Sequence, residues 1–166
     1  TNNDDYAEKM KMMRVHGQNK RYHHKYIGMG GRLDTIQAAI LLAKLPHYAN
    51  EIQGRNRVAL AYTEQLNGIV TTPQVKTDRT SVWAQYTVRV QNRDPLQATL
   101  QQAGIPTAVH YPMPLHMQEC FQYLGLKQGD FPIAENAAQQ VMSLPMNPFL
   151  TDEEIKYVAE TLKASI

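Results

Sequence analysis

The sequence predicts a small α+β domain, with helices covering one face of a mainly antiparallel sheet, joined to a long helical spine. Three observations carry this. Apolar residues recur at helical spacing from about Leu33 toward a glycine stop at Gly68. In "SVWAQYTVRV", Val82, Ala84, Tyr86, Val88 and Val90 alternate with Trp83, Gln85, Thr87 and Arg89, the period of a half-buried strand. From there the signals run strand, helix, strand, then helix, strand, helix, which suits helices layered on a small sheet.

In chain order, Asn3 or Asp4 is a good N-cap for a first helix whose one face holds Tyr6, Met10 and Met13. That helix ends near His16-Gly17, where glycine suits the left-handed position after a C-cap. The fourteen residues "QNKRYHHKYIGMGG" follow, basic and aromatic and without a period, and read as a long loop. Leu33, Ile36, Ala39 or Ile40, and Ala43 line the next helix, Pro46 permits a break, and a second helical stretch runs to Gly68. Together they make a spine of about ten turns. "IVTTP" reads as a short strand. Asp94-Pro95 opens a helix that Gly104 ends. "IPTAVH" is a third strand, Pro132 to Val141 a helix, and "MSLP" a short strand. Thr151 to Glu154 spells a capping box, after which Ile155, Val158, Ala159 and Leu162 share one face.

Bulk properties exclude several classes. A chain of 166 residues is about one ordinary domain. At 43% hydrophobic and 19% charged it has a globular composition, without repeats or low-complexity stretches. The longest apolar run, Ala38 to Ala43, is far below the roughly 20 residues of a membrane span, so no membrane partner is expected. A formal charge of +2 is too small to argue for nucleic acid. One cysteine, Cys120, leaves no internal disulfide and fits a reducing, cytoplasmic setting, and no signal peptide opens the chain. The opening "TNNDDYAEKM" reads as the middle of a longer protein, entered just after a strand.

Chemistry concentrates in two places. Gly28, Gly30 and Gly31 leave the backbone bare in front of a helix, so either a turn needs them or something approaches closely. The spacing is neither a dinucleotide fingerprint, since Leu33 takes the last glycine position, nor a Walker loop. Bare N–H groups entering a helix favour an anion in general, and a flexible turn is the simpler reading. Arg32 at the helix mouth can clamp a carboxylate or phosphate bidentately, or form a surface salt bridge with Asp34. His23 and His24 are adjacent, a poor spacing for zinc, and no metal site is expected. In "AVHYPMPLH", Pro112 and Pro114 stiffen the exit from a strand and can hold His110 and Tyr111 toward one ligand. A proline-braced connection, with His110 bonded to backbone, is the plainer alternative. Neither Cys120 nor the scattered carboxylates form a catalytic pair.

The strings "RVHGQNKRYHHKYIGMGGRLDTIQAAILLAKL", "AVHYPMPLH" and "QQVMSLPMNPFLTDEEI", in this order along the whole chain, resemble one family. They look like the carboxy-terminal half of the pyridoxal-phosphate-dependent sugar aminotransferases of the DegT/StrS type. The branch most resembled acts on a UDP-linked 3-keto sugar uronic acid in O-antigen (lipopolysaccharide) synthesis. The resemblance implies an α/β, fold type I transferase and a homodimer with shared active sites. It also implies pyridoxal 5'-phosphate as cofactor and glutamate as amino donor. Residues 1–50 would close a large cofactor-binding domain and carry an inter-subunit loop, and residues 51–166 would form the small C-terminal domain. The Schiff-base lysine is expected upstream of Thr1, so no residue here is assigned to catalysis. By the same resemblance the glycine loop reaches a neighbour's cofactor phosphate and substrate. Arg32 then meets the substrate's acidic group, and His110 and Tyr111 contact the sugar nucleotide. Gly30 stands where the family usually has asparagine on the cofactor phosphate, and glycine keeps only its N–H, so weaker phosphate binding is expected. A non-catalytic sugar-nucleotide-binding or dimerisation module is the alternative.

Overall fold

Asn3 starts the first helix: its side-chain oxygen accepts the Tyr6 N–H at 3.0 Å, and α1 runs Asp4–Met13. The computed structural model describes every residue from Thr1 to Ile166, in two compact units, Thr1–Tyr48 and Ala49–Ile166.

In the first unit, His16 and Gly17 both take positive φ, 62° and 75°, and turn the chain out of α1. The aperiodic stretch that follows is not all loop. Strands β1 (Gln18–Lys20) and β2 (His23–His24) pair as an antiparallel hairpin, with Tyr22 at positive φ in its turn. Strands of three and two residues are too short for an alternation to show in sequence. Helix α2 spans Thr35–Lys44, and a 3-10 turn at Leu45–His47 holds Pro46. Helix α3, Tyr48–Leu66, follows directly. Gly68, at φ 77°, marks the expected stop. Apart from Gly17, no residue of the first unit is buried. The apolar faces foreseen for α1 (Tyr6, Met10, Met13) and α2 (Leu33, Ile36, Ile40) all lie exposed.

The second unit holds the core. Strand β3 (Tyr86–Arg89) pairs antiparallel with β4 (Val141–Leu144) in the register Tyr86↔Leu144, Thr87↔Ser143, Val88↔Met142. Helix α4 runs Arg93–Gln102, α5 Pro132–Gln140 and α6 Asp152–Ala164. Val58, Tyr62 and Leu66 of α3, Leu96 and Leu100 of α4, and Ile155, Val158 and Leu162 of α6 form one buried cluster with Tyr86, Val88, Met142 and Leu144. The ladder therefore has an apolar face and, on alternate residues, a polar one carrying Thr87 and Ser143. Thr151 and Glu154 exchange the two bonds of the expected capping box, at 3.2 and 2.8 Å.

Three strand expectations shrink. "IVTTP" contributes only a bridge from Thr71 to Arg89, and "IPTAVH" only one from Ala108 to Ser143. Each lies beside a proline, Pro73 or Pro106, which has no N–H for a ladder. The strand begun at Val82 starts instead at Tyr86, because Trp83 takes φ 49° and is tied to α3. Its indole donates to Asn56 Oδ1 at 2.8 Å and its carbonyl accepts Arg55 at 2.9 Å. Helix α4 also begins earlier than Asp94-Pro95, after Asn92 in the left-handed region, with Pro95 inside the first turn.

Candidate functional site

The glycine arm first answers to its own chain. A Cβ on Gly28 would lie 2.3 Å from the Gly17 nitrogen and 2.4 Å from the Met13 carbonyl oxygen. No side chain fits there. This close approach lets residues 29–31 lie along the tail of α1. His16 N–H donates to Met29 O at 3.0 Å, Met29 N–H to Met13 O at 2.9 Å, and Gly31 N–H to Arg14 O at 2.8 Å. Gly30, opposite Val15, alternates with these and its N–H has no partner. A Cβ there would meet only the end of the His16 ring, at 3.3 Å.

Arg32 follows, exposed, with no ion pair and no hydrogen bond. The foreseen salt bridge to Asp34 does not form. Asp34 caps α2 instead, with the Gln37 side chain reaching back to its N–H at 3.4 Å. The first turn of α2 is thus answered in part by the chain's own capping box, and just before it the Gly30 amide and the Arg32 guanidinium stand free to meet an anion. Ile27 is 98% exposed and Met29 and Leu33 are largely so. The arm is anchored at its base and bare along the rest.

His110 and Tyr111 belong to the second unit. The His110 ring hangs from the polar face of the β3–β4 ladder, its Nδ1 3.3 Å from Ser143 Oγ, which itself sits 2.8 Å from Thr87 Oγ1. The alternative of a histidine bonded to backbone is therefore corrected: its partner is a serine hydroxyl. That bond leaves Nε2 free. The Tyr111 ring stands edge-on to His110 at 5.9 Å between centroids, and Tyr111 is 76% exposed with an unpartnered hydroxyl. The pair borders a cavity of about 840 Å³ whose other walls are mostly apolar, among them Leu115, Phe121, Leu126, Phe131 and Ala134, with Gln118 and His116 the polar exceptions.

One interaction of the site was not visible in the sequence. His116 Nε2 lies 2.9 Å from Glu135 Oε1, with the two side chains only 7% and 16% exposed. Desolvation pushes the Glu135 carboxyl up, but the Gly129 amide, the His116 ring and the Phe131 amide outweigh it and hold its pKa below the ordinary value. The partners are 19 positions apart, beyond any helical or strand period. The only signal was the histidine ending "HYPMPLH".

The comparisons with known proteins bear on this arrangement. Residues 1–163 match the DegT/DnrJ/EryC1/StrS aminotransferase family. The chain belongs to that family. It is 45% identical over 166 residues to a "pleiotropic regulatory protein" of Geobacillus stearothermophilus. It is also 45% identical over 163 residues to the UDP-2-acetamido-2-deoxy-3-oxo-D-glucuronate aminotransferase of Pseudomonas aeruginosa. Each alignment covers 98% of this chain and 45% of the relative. A crystal structure of a family aminotransferase from Brucella abortus superposes with a TM-score of 0.90 at 35% identity, over 99% of this chain and 44% of that one. The chain thus spans about half the length of the curated relatives it matches. The fold is part of a fold type I transferase, helical with small antiparallel sheets. No helix is long and apolar enough to cross a membrane.

Proposed function

We propose that this chain is the arm-and-small-domain part of a pyridoxal 5'-phosphate-dependent aminotransferase acting on a UDP-linked 3-keto uronic acid, with glutamate as amino donor. The observation that carries the reading is the 45% identity, across 98% of the chain, to an enzyme named for that substrate. In net terms glutamate gives up its amino group and becomes 2-oxoglutarate, while the sugar's ketone oxygen is replaced by that amino group, with no external oxidant or reductant. When bound, the cofactor supplies the carbonyl that carries the amino group between the two substrates and the electron sink that makes the neighbouring proton labile.

The residues present fit a supporting role toward that group and no more. The unpartnered Gly30 N–H can donate to a phosphate oxygen, and the unpaired Arg32 guanidinium can grip a carboxylate in two-pronged fashion. His110 and Tyr111, with Nε2 and a phenol free, can bond the sugar nucleotide. The exposed apolar faces of α1 and α2 and the bare arm suit a homodimer with shared sites, where a second copy covers them. A cytoplasmic location suits such an enzyme.

The test is Arg32→Ala in the full-length protein. The expected result is at least a hundredfold loss of kcat/KM on the uronic acid sugar, with cofactor absorbance retained, because a buried charge-assisted pair is worth about 3 kcal/mol or more. Unchanged turnover would return Arg32 to the surface. The non-catalytic reading is favoured by one finding, the equally similar relative named as a regulatory protein. An intact protein that forms no internal cofactor absorbance would establish it.

A further inference from the structure

The segment from His110 to His116 is tied at both ends to one stretch of chain. Its first residue is hung on Ser143 of β4 by the 3.3 Å contact, and its last is held by Glu135 of α5 at 2.9 Å. Helix α5 ends at Gln140 and β4 begins at Val141, so both posts stand on adjoining elements with no loop between them. Between them Pro112 and Pro114 each lock φ, leaving few soft dihedrals. The residues in the middle touch little: Tyr111, Met113 and Leu115 are exposed.

The second post is rigid in its own right. Glu135 accepts the Gly129 amide on both oxygens, at 2.9 and 3.0 Å, and the Phe131 amide at 3.3 Å. The His116 ring packs at 4.8 Å on Phe131. A carboxylate so fully engaged, and so little exposed, is badly placed to move protons for a reaction. It is well placed to fix a neighbour.

We propose that His116 and Glu135 are positioning residues for sugar-nucleotide recognition: they hold the far end of the strap whose near end presents His110 and Tyr111. The inference rests on the function proposed above, in which His110 and Tyr111 meet the substrate. A strap fixed at one end only would have to be ordered by the ligand, and the cost would appear as lost affinity, not as slower chemistry.

The experiment uses the full-length holoenzyme carrying Glu135→Gln or His116→Leu. The second variant leaves the Gly129 and Phe131 amides on Glu135 and carries the test if the first does not fold. Each should raise KM for UDP-2-acetamido-2-deoxy-3-oxo-D-glucuronate about tenfold. The dissociation constant of the 3-hydroxy counterpart, UDP-2-acetamido-2-deoxy-D-glucuronate, should rise by the same factor. The maximal rate and the KM for glutamate should stay within about twofold. In a Tyr111→Ala background either change should add clearly less than it does in the wild type, because one of the two groups being positioned is gone. A lower melting midpoint with unchanged KM and dissociation constant would leave the pair merely structural and overturn the proposal. So would full additivity with Tyr111→Ala. Wild-type enzyme that binds the 3-hydroxy sugar nucleotide but turns over no keto sugar defeats the aminotransferase reading instead, and the binding arm still decides the strap.

Discussion

Gly28→Ala tests the arm at its root. A methyl group there would meet backbone at 2.3, 2.4 and 2.8 Å, from Gly17, Met13 and His16, and backbone has no flexible end to swing away. The arm must lift, and three hydrogen bonds go with it: His16 to Met29, Met29 to Met13 and Gly31 to Arg14. At a net worth of about 1 kcal/mol each, the lifted form gains about 3 kcal/mol relative to wild type. That is about a hundredfold in the opening equilibrium. Amide exchange in the intact protein reads it directly: the His16, Met29 and Gly31 N–H groups should exchange about a hundredfold faster, while core amides such as Val88 keep their protection. Substrate turnover should fall with it, since Gly30 and Arg32 ride on the lifted segment. Gly31→Ala is the control, because its Cβ would find Arg14 at an ordinary 3.5 Å, and it should change exchange only slightly. Unaltered protection at Met29 in Gly28→Ala would refute the reasoning.

Other consequences are equally open to measurement. Gly30→Asn meets only the movable end of the His16 ring, so the full-length variant should fold and bind pyridoxal 5'-phosphate several-fold more tightly, as followed by absorbance titration. An unchanged affinity would count against Gly30 facing the phosphate. Tyr62→Phe removes the buried hydroxyl that donates to Pro145 O at 3.1 Å. The loss should cost about 1 to 2 kcal/mol in denaturant unfolding. Burial, with Glu154 and Tyr86 nearby, pushes the Tyr62 phenol far up, so its hydroxyl remains a donor at any working pH and that cost should not vary with pH. Glu135 has a depressed folded pKa against an ordinary 4.5. Its bonds therefore contribute stability above about pH 4.5 and lose it as pH falls through the folded value. Denaturation midpoints taken between neutral and strongly acid pH should show that loss in wild type and a shallower one in Glu135→Gln.

Local rules were readable in the chain because their causes are local. The Thr151–Glu154 capping box, the stops at Gly68 and Gly104 and the buried face Ile155, Val158, Ala159, Leu162 each depend on residues within a turn or two. The apolar faces of α1 and α2 were equally legible as patterns, yet here they stay exposed, since periodicity shows that a face wants cover and not what covers it. The strands were overestimated for a related reason. Alternation from Val82 onward is a property of side chains, but the ladder begins at Tyr86 because Arg55 and Asn56, on a distant helix, hold Trp83 out of extended backbone.

The sequence by itself determined the helices, the caps at Asn3 and Thr151 and the family, because propensity, spacing and motif are written along one short stretch at a time. Only the tertiary structure decided that Gly28 serves the chain's own backbone, that Asp34 caps its helix and leaves Arg32 unpaired, and that His116 meets Glu135 beneath the strap. The first and last are contacts between residues far apart in the chain, and the second is a choice between two local partners of Asp34; each is fixed only once the chain has closed on itself.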